Sequence, residues 1–280
     1  MSMLRQDVQT HTNYSDGENT ITQMVKSAID IGIESIVISD HAKGWVSGDG
    51  TRSEFFPTYE KYVNYLQEVE HVKNVFSDKI KIFSGLEIEI GVQGDFKLDA
   101  GIIEYAQKHK DRRKLGVDIL LGSIHSESFE EDCTEQEIKV KDKRAVMIEN
   151  MINLIRNKKI DIFAHPFQAL HGQFSDNLSE KETEQIINTF EMEWRSGHSI
   201  FFELNGKKYP RYEQWSYNKY ENGELETQDI NVLQRYRKRG GKFVLGSDAH
   251  SIQGLTDTDF SILNKLSLDE SEIFMFYERN

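Results

Sequence analysis

Short apolar runs rich in β-branched residues alternate with longer amphipathic segments along the whole chain. This alternation is typical of repeated strand–helix units and disfavours separate all-α and all-β domains. We predict seven such units in a single α/β domain, residues 1–280, because no Pro/Gly/Ser-rich linker divides the sequence. The predicted strands are Arg5–Gln9, Ser35–Ile38, Lys79–Gly85, Val117–Ser123, Ile160–Ala164, Ile200–Leu204 and Lys242–Gly246.

The segments between these strands carry apolar residues at helical spacing, which predicts helices packed on a sheet. Examples are Ile21, Met24, Val25 and Ala28, and Met147, Met151, Leu154 and Ile155. Seven units are one short of the usual eight, so we expect a distorted or incomplete TIM-like (β/α)7 barrel. Three stretches that follow strand ends are predicted to be irregular loops: Ala42–Pro57, Ser126–Glu131 and Gly206–Leu225.

The charge balance of the chain limits its partners. The 280 residues contain 34 Lys and Arg against 47 Asp and Glu, a formal charge of −13. Such a surface repels long nucleic acids and anionic membranes, whereas a small substrate is compatible with it. The single cysteine, Cys133, excludes an internal disulfide. The chain has no signal-peptide-like start and no apolar run of membrane-spanning length, so we expect a cytoplasmic protein. Its oligomeric state stays open.

Histidines and carboxylates recur where the predicted strands end. Five of the nine histidines lie at strand exits: His11, His41, His125, His165 and His250. Carboxylates occupy equivalent places at Asp16, Glu87 and Asp248. The carboxyl ends of parallel strands meet at one rim of a barrel, so these groups should converge. Core packing does not require this pattern, and we therefore predict a metal centre.

Imidazole and carboxylate ligands together suit zinc, manganese or iron. Eight possible ligands exceed the needs of one ion, which favours two or three ions that share a bridging carboxylate. Gln9 and His11 are two residues apart and should face the same side of their strand. Glu89 is expected either to support a ligand or to be solvated. Of the remaining histidines, His71 and His109 are predicted to be solvated, and His171 and His198 are left open.

Six ordered motifs resemble those of the polymerase and histidinol phosphatase (PHP) family, from Asp7 to about Ser251. They are Gln9–Gly17, Ser39–His41, Gly85–Glu87, Gly122–His125, Ala164–Pro166 and Gly246–His250. The resemblance implies a distorted (β/α)7 barrel whose two- or three-metal centre hydrolyses phosphoesters. The length of the chain is similar to that of histidinol-phosphate phosphatases.

The resemblance also implies how the ligands are divided among the ions, with Glu87 as the bridge between the first two. The three implied sets are Gln9, His11, Glu87 and Asp248; Glu87, His125 and His165; and Asp16, His41 and His250. The family usually has His-x-His where this chain has Gln9-x-His11. A neutral amide oxygen is a weaker ligand for a transition metal, so the first ion is expected to bind loosely, or Gln9 to hydrogen-bond a metal-bound water.

We therefore expect hydrolysis of a small phosphomonoester by a metal-activated hydroxide, with Glu87 bridging the ions. Asp248 or His250 would then serve as the proton shuttle for the leaving oxygen. The cations best placed to grip phosphate are Lys43, Arg52, Lys207, Lys208 and Arg211. Aromatic residues of the same loops are expected either to wall the pocket or to pack the loops: Trp45, Tyr209, Tyr212 and Trp215.

Three other functions compete with this hypothesis. A nucleotidase or oligonucleotide phosphodiesterase would use the same metals, although the acidic charge argues against long nucleic acid. A metal-dependent amidohydrolase would also place His and Asp at strand ends, but no strand exit here offers a lysine for carboxylation. A catalytically silent metal-binding barrel is the third alternative, because Gln9 weakens one site.

Overall fold

The computed structural model describes residues 5–45, 53–110, 113–174, 178–206, 224–258 and 261–276. The strands are β1 Gln6–Thr10, β2 Ser35–Ile38, β3 Lys81–Ile90, β4 Phe96–Lys97, β5 Ile119–Ser123, β6 Ile162–Phe163, β7 Phe201–Asn205 and β8 Phe243–Gly246. The helices are α1 Ile21–Asp30, α2 Tyr59–Val75, α3 Ala100–Lys108, α4 Ser126–Glu135, α5 Lys143–Arg156, α6 Gln168–Gln173, α7 Glu180–Arg195, α8 Glu224–Lys238, α9 Ile252–Thr256 and α10 Ser261–Leu266.

Seven parallel strands form one sheet in the order β1-β2-β3-β5-β6-β7-β8, and β4 pairs antiparallel with β3. The first and last strands meet just beyond their ends, where the His11 amide donates to the Ala249 carbonyl at 2.9 Å. The sheet is thus nearly closed, which confirms the predicted distorted seven-stranded barrel. All seven predicted strands are present. However, β3 continues past Gly85 to Ile90 because its last residues pair with both β4 and β5.

Apolar side chains fill the interior of the barrel. They are Val8, Val37, Ile119, Leu121, Ile162, Ala164, Phe201 and Val244. Phe276, from the C-terminal segment, packs into the same cluster. The Gln6 side chain fixes this segment, since it donates to the Phe274 carbonyl at 2.9 Å and accepts from the Phe276 amide at 2.8 Å. The amino end of the barrel is therefore packed, and the polar side chains gather at the carboxyl end.

The pairing of β1 with β2 changes register between Asp7 and Thr10. Val8 packs in the barrel interior, yet the next residue, Gln9, also reaches an interior side chain, Glu87. A bulge of this kind lets neighbouring residues face the same side of a sheet. It turns both Gln9 and His11 toward the carboxyl-end rim.

Two predicted helical patterns are confirmed. In α1, the apolar set Ile21, Met24, Val25 and Ala28 is fully buried. Thr20 and Gln23 form a capping box that starts this helix. In α5, the buried face includes the predicted residues Met147, Met151, Leu154 and Ile155.

The prediction of an irregular Ser126–Glu131 loop is wrong, because these residues begin helix α4, which runs to Glu135. This helix buries Phe129 and Cys133, but the acidic and serine residues around them hid the helical pattern. Leu225 also lies in a helix, since α8 begins at Glu224, while residues 207–223 lie outside the described residues. The described parts of Ala42–Pro57 are irregular, as predicted.

Candidate metal centre

The structure brings the predicted histidines and acids together at the carboxyl-end rim. His11, His41, His125 and His165 follow β1, β2, β5 and β6, respectively, and Glu87 lies within β3. Asp16 reaches the rim from the loop after β1, and Asp248 and His250 follow β8. Parallel strands all end at this rim, so residues far apart in sequence become neighbours.

Glu87 is the centre of the cluster, and its side chain is fully buried. Its Oε1 lies 3.2 Å from His125 Nε2 and 3.0 Å from His165 Nε2. Its Oε2 lies 3.2 Å from His11 Nε2 and 3.4 Å from His41 Nδ1. One carboxylate surrounded by four imidazoles on both of its oxygens has the geometry expected of a bridging metal ligand.

Asp16 forms the outer part of the cluster, with its side chain 31% exposed. Its Oδ1 lies 3.7 Å from His41 Nε2 and 3.3 Å from His250 Nε2. The His11 ring stacks on both the His41 and the His250 ring, with centroids 4.3 and 4.2 Å away. Asp248 Oδ1 lies 3.1 Å from His11 Nε2 and thus joins the outer part to the buried part.

The possible ligand atoms form three groups, within each of which they lie no more than 4.8 Å apart. The groups are His11, Asp16, His41 and His250; His41, Glu87 and His125; and His11, Glu87 and Asp248. Every pair of groups shares one residue. His165 is in none of them, although it contacts Glu87. The division differs from the implied ligand sets at His11 and His41, each of which belongs to two groups.

The charges in the cluster are strongly coupled. Burial opposes ionisation, but the surrounding histidines hold the pKa of the Glu87 carboxyl well below its usual value. Burial also opposes a charge on His11, yet the carboxylates of Asp248 and Glu87 prevail and raise its pKa to about 10. Burial and the neighbouring His11 lower the pKa of His41 to about 3, despite Glu87. The histidines therefore keep the Glu87 carboxyl in its negative form, which attracts cations.

This donor set fits divalent transition-metal ions. Imidazole nitrogens mixed with carboxylate oxygens are typical ligands of zinc, manganese and iron. Moreover, Nδ1 of His11 and Nδ1 of His165 are buried and have no hydrogen-bond partner among the described residues. Buried polar atoms without a partner are costly, and such atoms in a ligand cluster are consistent with a site built for a bound ion.

Two of the candidate ligands have left-handed backbone conformations that non-glycine residues rarely adopt. The φ angles are +28° at His165 and +52° at Asp248. Glu203 supports the first, since its Oε2 accepts a hydrogen bond from the His165 amide at 2.6 Å and another from Asn205 Nδ2 at 3.3 Å. Backbone strain of this kind is concentrated at functional sites.

Gln9 reaches the cluster with its amide nitrogen toward Glu87. Its Nε2 donates to Glu87 Oε2 at 2.8 Å, while its Oε1 accepts from Asn205 Nδ2 at 3.3 Å. The predicted weak ligand is thus a hydrogen-bond donor to the central carboxylate in this structure.

Sequence reasoning missed four supporting residues: Asp7, Asp40, Glu203 and Asn205. Asp7 Oδ1 accepts from the Gln9 and Ser247 amides and so joins β1 to β8. Asp40 accepts from the Thr12 and Ser15 amides and holds the loop that carries Asp16. Asp40 directly precedes His41, so its place in the Ser39–His41 motif could have indicated that it lies at the site. Glu203 and Asn205 belong to none of the six motifs.

The structure describes one of the five cations proposed to bind phosphate, Lys43. Lys43 is buried, with its Nζ 3.6 Å from Glu131 Oε2. Trp45 lies edge-on to two candidate ligands, 4.8 Å from the His41 ring and 5.3 Å from the His125 ring, and so forms part of the wall of the site. Four of the five predicted cations and three of the four predicted aromatic residues lie outside the described residues: Arg52, Lys207, Lys208 and Arg211, and Tyr209, Tyr212 and Trp215.

Three histidines outside the cluster have surroundings typical of ordinary structural or surface residues. His71 is exposed, as predicted. His109 is only half-exposed because its ring stacks on Tyr105 at 4.3 Å, so the prediction that it is solvated is wrong. His198 bonds the Glu193 side chain and the Ile160 carbonyl, which gives it a structural role. His171 lies in α6, but its side chain is outside the described part of the structure.

Comparisons with known proteins identify the family. The PHP domain family matches residues 7–207, and the chain belongs to it. The family predicted from the six motifs is therefore confirmed. The match includes all the candidate ligands except Asp248 and His250, which the barrel brings in from β8.

Two curated proteins match most of this chain. It is 26% identical to the histidinol-phosphatase of Lactococcus lactis, over 89% of this chain and 85% of that protein. It is 22% identical to the DNA polymerase/3'-5' exonuclease PolX of Bacillus subtilis, over 98% of this chain but only 41% of that protein. The chain therefore spans less than half the length of PolX.

Two solved structures share the fold. Lactococcus lactis histidinol phosphate phosphatase, in complex with zinc, L-histidinol and phosphate, has a TM-score of 0.59 at 18% identity, with 95% of each chain covered. The putative histidinol phosphatase of Listeria monocytogenes has a TM-score of 0.62 at 16% identity, with 89% of this chain and 97% of that chain covered.

A search of the described residues for helices long and apolar enough to cross a membrane found none.

Proposed function

We propose that this chain is a metal-dependent phosphatase that hydrolyses a small phosphomonoester with two or three divalent transition-metal ions. The observation that carries the proposal is Glu87, a buried carboxylate contacted on both oxygens by four imidazoles at the open rim of a barrel. Membership of the PHP domain family supports it, and so does the likeness to a histidinol-phosphatase over most of both chains.

The proposed ligands are the residues that meet at the rim, with Glu87 as the bridge. They are His11, Asp16, His41, Glu87, His125, His165, Asp248 and His250, and Gln9 occupies a ninth position beside Glu87. When bound, such ions supply Lewis acidity toward phosphate oxygens and activate water for attack on phosphorus. The uneven exposure of the cluster is consistent with a substrate that enters past Asp16 and His250, since Glu87 lies deep and both of those side chains are partly exposed.

Among the chain's own groups, Glu87, Asp248 and His250 are the proposed catalytic residues. The His250 side chain is 25% exposed, whereas that of Asp248 is 5% exposed. The His250 Nδ1 hydrogen-bonds the Asp248 carbonyl at 2.9 Å, which leaves Nε2 facing Asp16 at 3.3 Å. His250 is thus the better placed of the two to pass a proton to a departing oxygen and to exchange it with solvent, a role that requires that its Nε2 does not bind an ion in that step.

Histidinol phosphate is the first substrate to test, because the Lactococcus lactis relatives are named for it. The proposed substrate contacts are Lys43 among the described residues, and Arg52, Lys207, Lys208 and Arg211 outside them. Lys43 is paired with Glu131 at 3.6 Å, so a phosphate would have to compete with that carboxylate for the ammonium group.

Turnover assays on four substrates, each with zinc, manganese and iron(II), would test this function. They are histidinol phosphate, a nucleoside monophosphate, a dinucleotide and a dipeptide. We expect phosphate release from the first, and loss of that activity in Glu87→Gln. As a control, Asp161→Asn alters a buried carboxylate that pairs with Lys114 away from the rim. Stoichiometric metal binding without turnover of any substrate would refute the proposed enzymatic activity. The chain would then be a catalytically inactive metal-binding barrel.

A nucleotide or oligonucleotide phosphoesterase is the second candidate function. The likeness to PolX, over 98% of this chain, is the observation that favours it. The net charge of −13 argues against a long nucleic acid and not against a mononucleotide. Release of phosphate or nucleotide from the nucleotide substrates, with histidinol phosphate untouched, would select this alternative.

We further propose that residues 1–280 form one PHP-type domain that acts in the cytoplasm on a small phosphorylated substrate. The single cysteine and the acidic surface support these points. Size-exclusion chromatography with light scattering would establish the oligomeric state, and cell fractionation the compartment.

A further inference from the structure

Glu89 lies two residues after Glu87 in β3 and on the same face of the sheet. It is buried, with 5% of its surface exposed, so the solvated alternative is excluded. Its Oε1 accepts a hydrogen bond from the His125 backbone amide at 2.9 Å. Its Oε2 forms a second, short hydrogen bond with Nδ1 of the same histidine. Both oxygens of one carboxylate are therefore used by one candidate metal ligand.

This pair of contacts determines which ring nitrogen of His125 faces the metal centre. A carboxylate accepts hydrogen bonds, so Nδ1 carries a hydrogen, and Nε2 is the nitrogen whose lone pair would bind an ion. Nε2 lies 3.2 Å from Glu87 Oε1, at the centre of the cluster. The His125 ring is thus held in the tautomer and the orientation that ligation through Nε2 requires.

The other candidate histidine ligands within the described ranges are held differently. The Nδ1 atoms of His11 and His165 lack a hydrogen-bond partner there. The Nδ1 atom of His250 bonds a backbone carbonyl, and His41 turns each of its nitrogens toward a candidate ligand. The centre is therefore asymmetric, with one imidazole fixed by a carboxylate and the others fixed less firmly.

The strands around Glu89 make this support rigid. Glu89 is in register with Ser123 of β5 on one side and with Lys97 of β4 on the other. The extension of β3 beyond Gly85 is what brings Glu89 beside His125. A carboxylate held in a sheet on both sides can position a ligand more accurately than one on a loop.

We propose that Glu89 is a positioning residue that fixes the Nε2 tautomer of His125 and thereby makes the ion held by Glu87 and His125 the most tightly bound of the centre. This inference rests on the proposed metal centre. Loss of such an outer carboxylate weakens metal binding by about 10–100-fold in comparable sites.

The test is the metal affinity of Glu89→Gln, measured by zinc competition with a chromophoric chelator. We expect one ion to bind about 10–100-fold more weakly, the others to be unchanged, and the number of ions at saturating zinc to stay the same. Asp161→Asn is the matched control, because Asp161 is also buried and accepts from a backbone amide, that of Leu120 at 2.9 Å, and from a cationic side chain. It should leave every zinc affinity unchanged.

Two results would overturn the inference. Unchanged affinities in Glu89→Gln would mean that Glu89 only anchors the start of α4. Loss of a whole zinc equivalent at saturation would mean that Glu89 is itself a ligand. If Glu89→Gln does not fold, nitrogen-15 NMR of the zinc-loaded wild type decides, since the inference requires a protonated Nδ1 in His125 and zinc bonded through Nε2. Absence of metal binding in the wild type would refute the proposed function itself.

Discussion

Replacement of Gln9 by leucine distinguishes a hydrogen-bond donor from a metal ligand at this position. Gln9 Nε2 donates to Glu87 Oε2 at 2.8 Å, and both side chains are buried. As a donor, Gln9 would keep this bond when ions bind. As a ligand, it would have to present Oε1, which now accepts from Asn205 Nδ2 at 3.3 Å. Leucine has nearly the same volume as glutamine and can do neither.

The two roles predict different effects on the free energy of unfolding. If Gln9 is a donor, Gln9→Leu loses one hydrogen bond to a charged group, which contributes about 1.5–3 kcal/mol. The loss should then be the same with and without metal, because the bond is present in both states. If Gln9 is a ligand, the variant also loses the stabilisation due to one ion, about 2.7 kcal/mol at a zinc concentration 100 times its Kd. We expect the donor result, since Asn205 holds the amide in that orientation.

Urea unfolding in EDTA and in buffered zinc, combined with metal content after dialysis, measures the difference. Asn150→Leu is the matched control, because Asn150 is a buried amide that donates to the Ile90 carbonyl at 3.1 Å. Its effect on stability should not depend on zinc. A zinc-dependent excess loss of about 2.7 kcal/mol in Gln9→Leu, together with one missing zinc equivalent, would refute the donor role.

Three further predictions concern other parts of the molecule. Glu87→Ala should abolish turnover and lower the metal content, whereas the exposed His71→Ala should change neither; equal losses would contradict the assignment. Hydrogen bonding to Arg144 lowers the pKa of Glu182 to about 2, so its contribution to stability is present above pH 4.5 and lost as the pH falls through about 2. Between pH 4.5 and about 2, the free energy of unfolding of Glu182→Gln should therefore fall less with decreasing pH than that of the wild type. The same pH dependence in both proteins would argue against the pairing of Glu182 with Arg144. Phe276→Ala should cost about 3–5 kcal/mol in urea unfolding, because Phe276 fills the amino end of the barrel; a loss under about 1 kcal/mol would contradict that packing.

The metal centre could be predicted because it depends on local sequence and simple topology. A histidine directly after each of several buried parallel strands must reach the same rim, whatever the details of packing. His11, His125 and His165 lie there for this reason. Register was also predictable for Gln9 and His11, although the bulge in β1 that turns them inward has no signal in the sequence.

Most of the supporting residues, unlike Asp40, could not be predicted, because their roles arise only from tertiary contacts. Glu203 and Asn205 look like ordinary polar residues in a buried strand until β7 places them beside His165 and Gln9. Glu89 lies beside His125 because β3 extends past the predicted end at Gly85, along the alternating apolar residues Leu86, Ile88 and Ile90. The start of α4 was missed because Phe129 and Cys133 are too few to mark a helical face among acidic neighbours.

The overlap of the three ligand groups determines how a substitution in one of them affects the bound ions. His11, His41 and Glu87 each belong to two groups, so an ion entering one group orders a side chain of each of the others. A substitution at one of these shared positions should therefore affect two ions, whereas a substitution that acts on an unshared position, such as His125, should affect one. For the same reason, substitutions at these three positions should not be additive, since each removes support from two ions. In evolutionary terms the three shared positions are the ones where a single change weakens two ions at once, whereas a change at an unshared position costs only one.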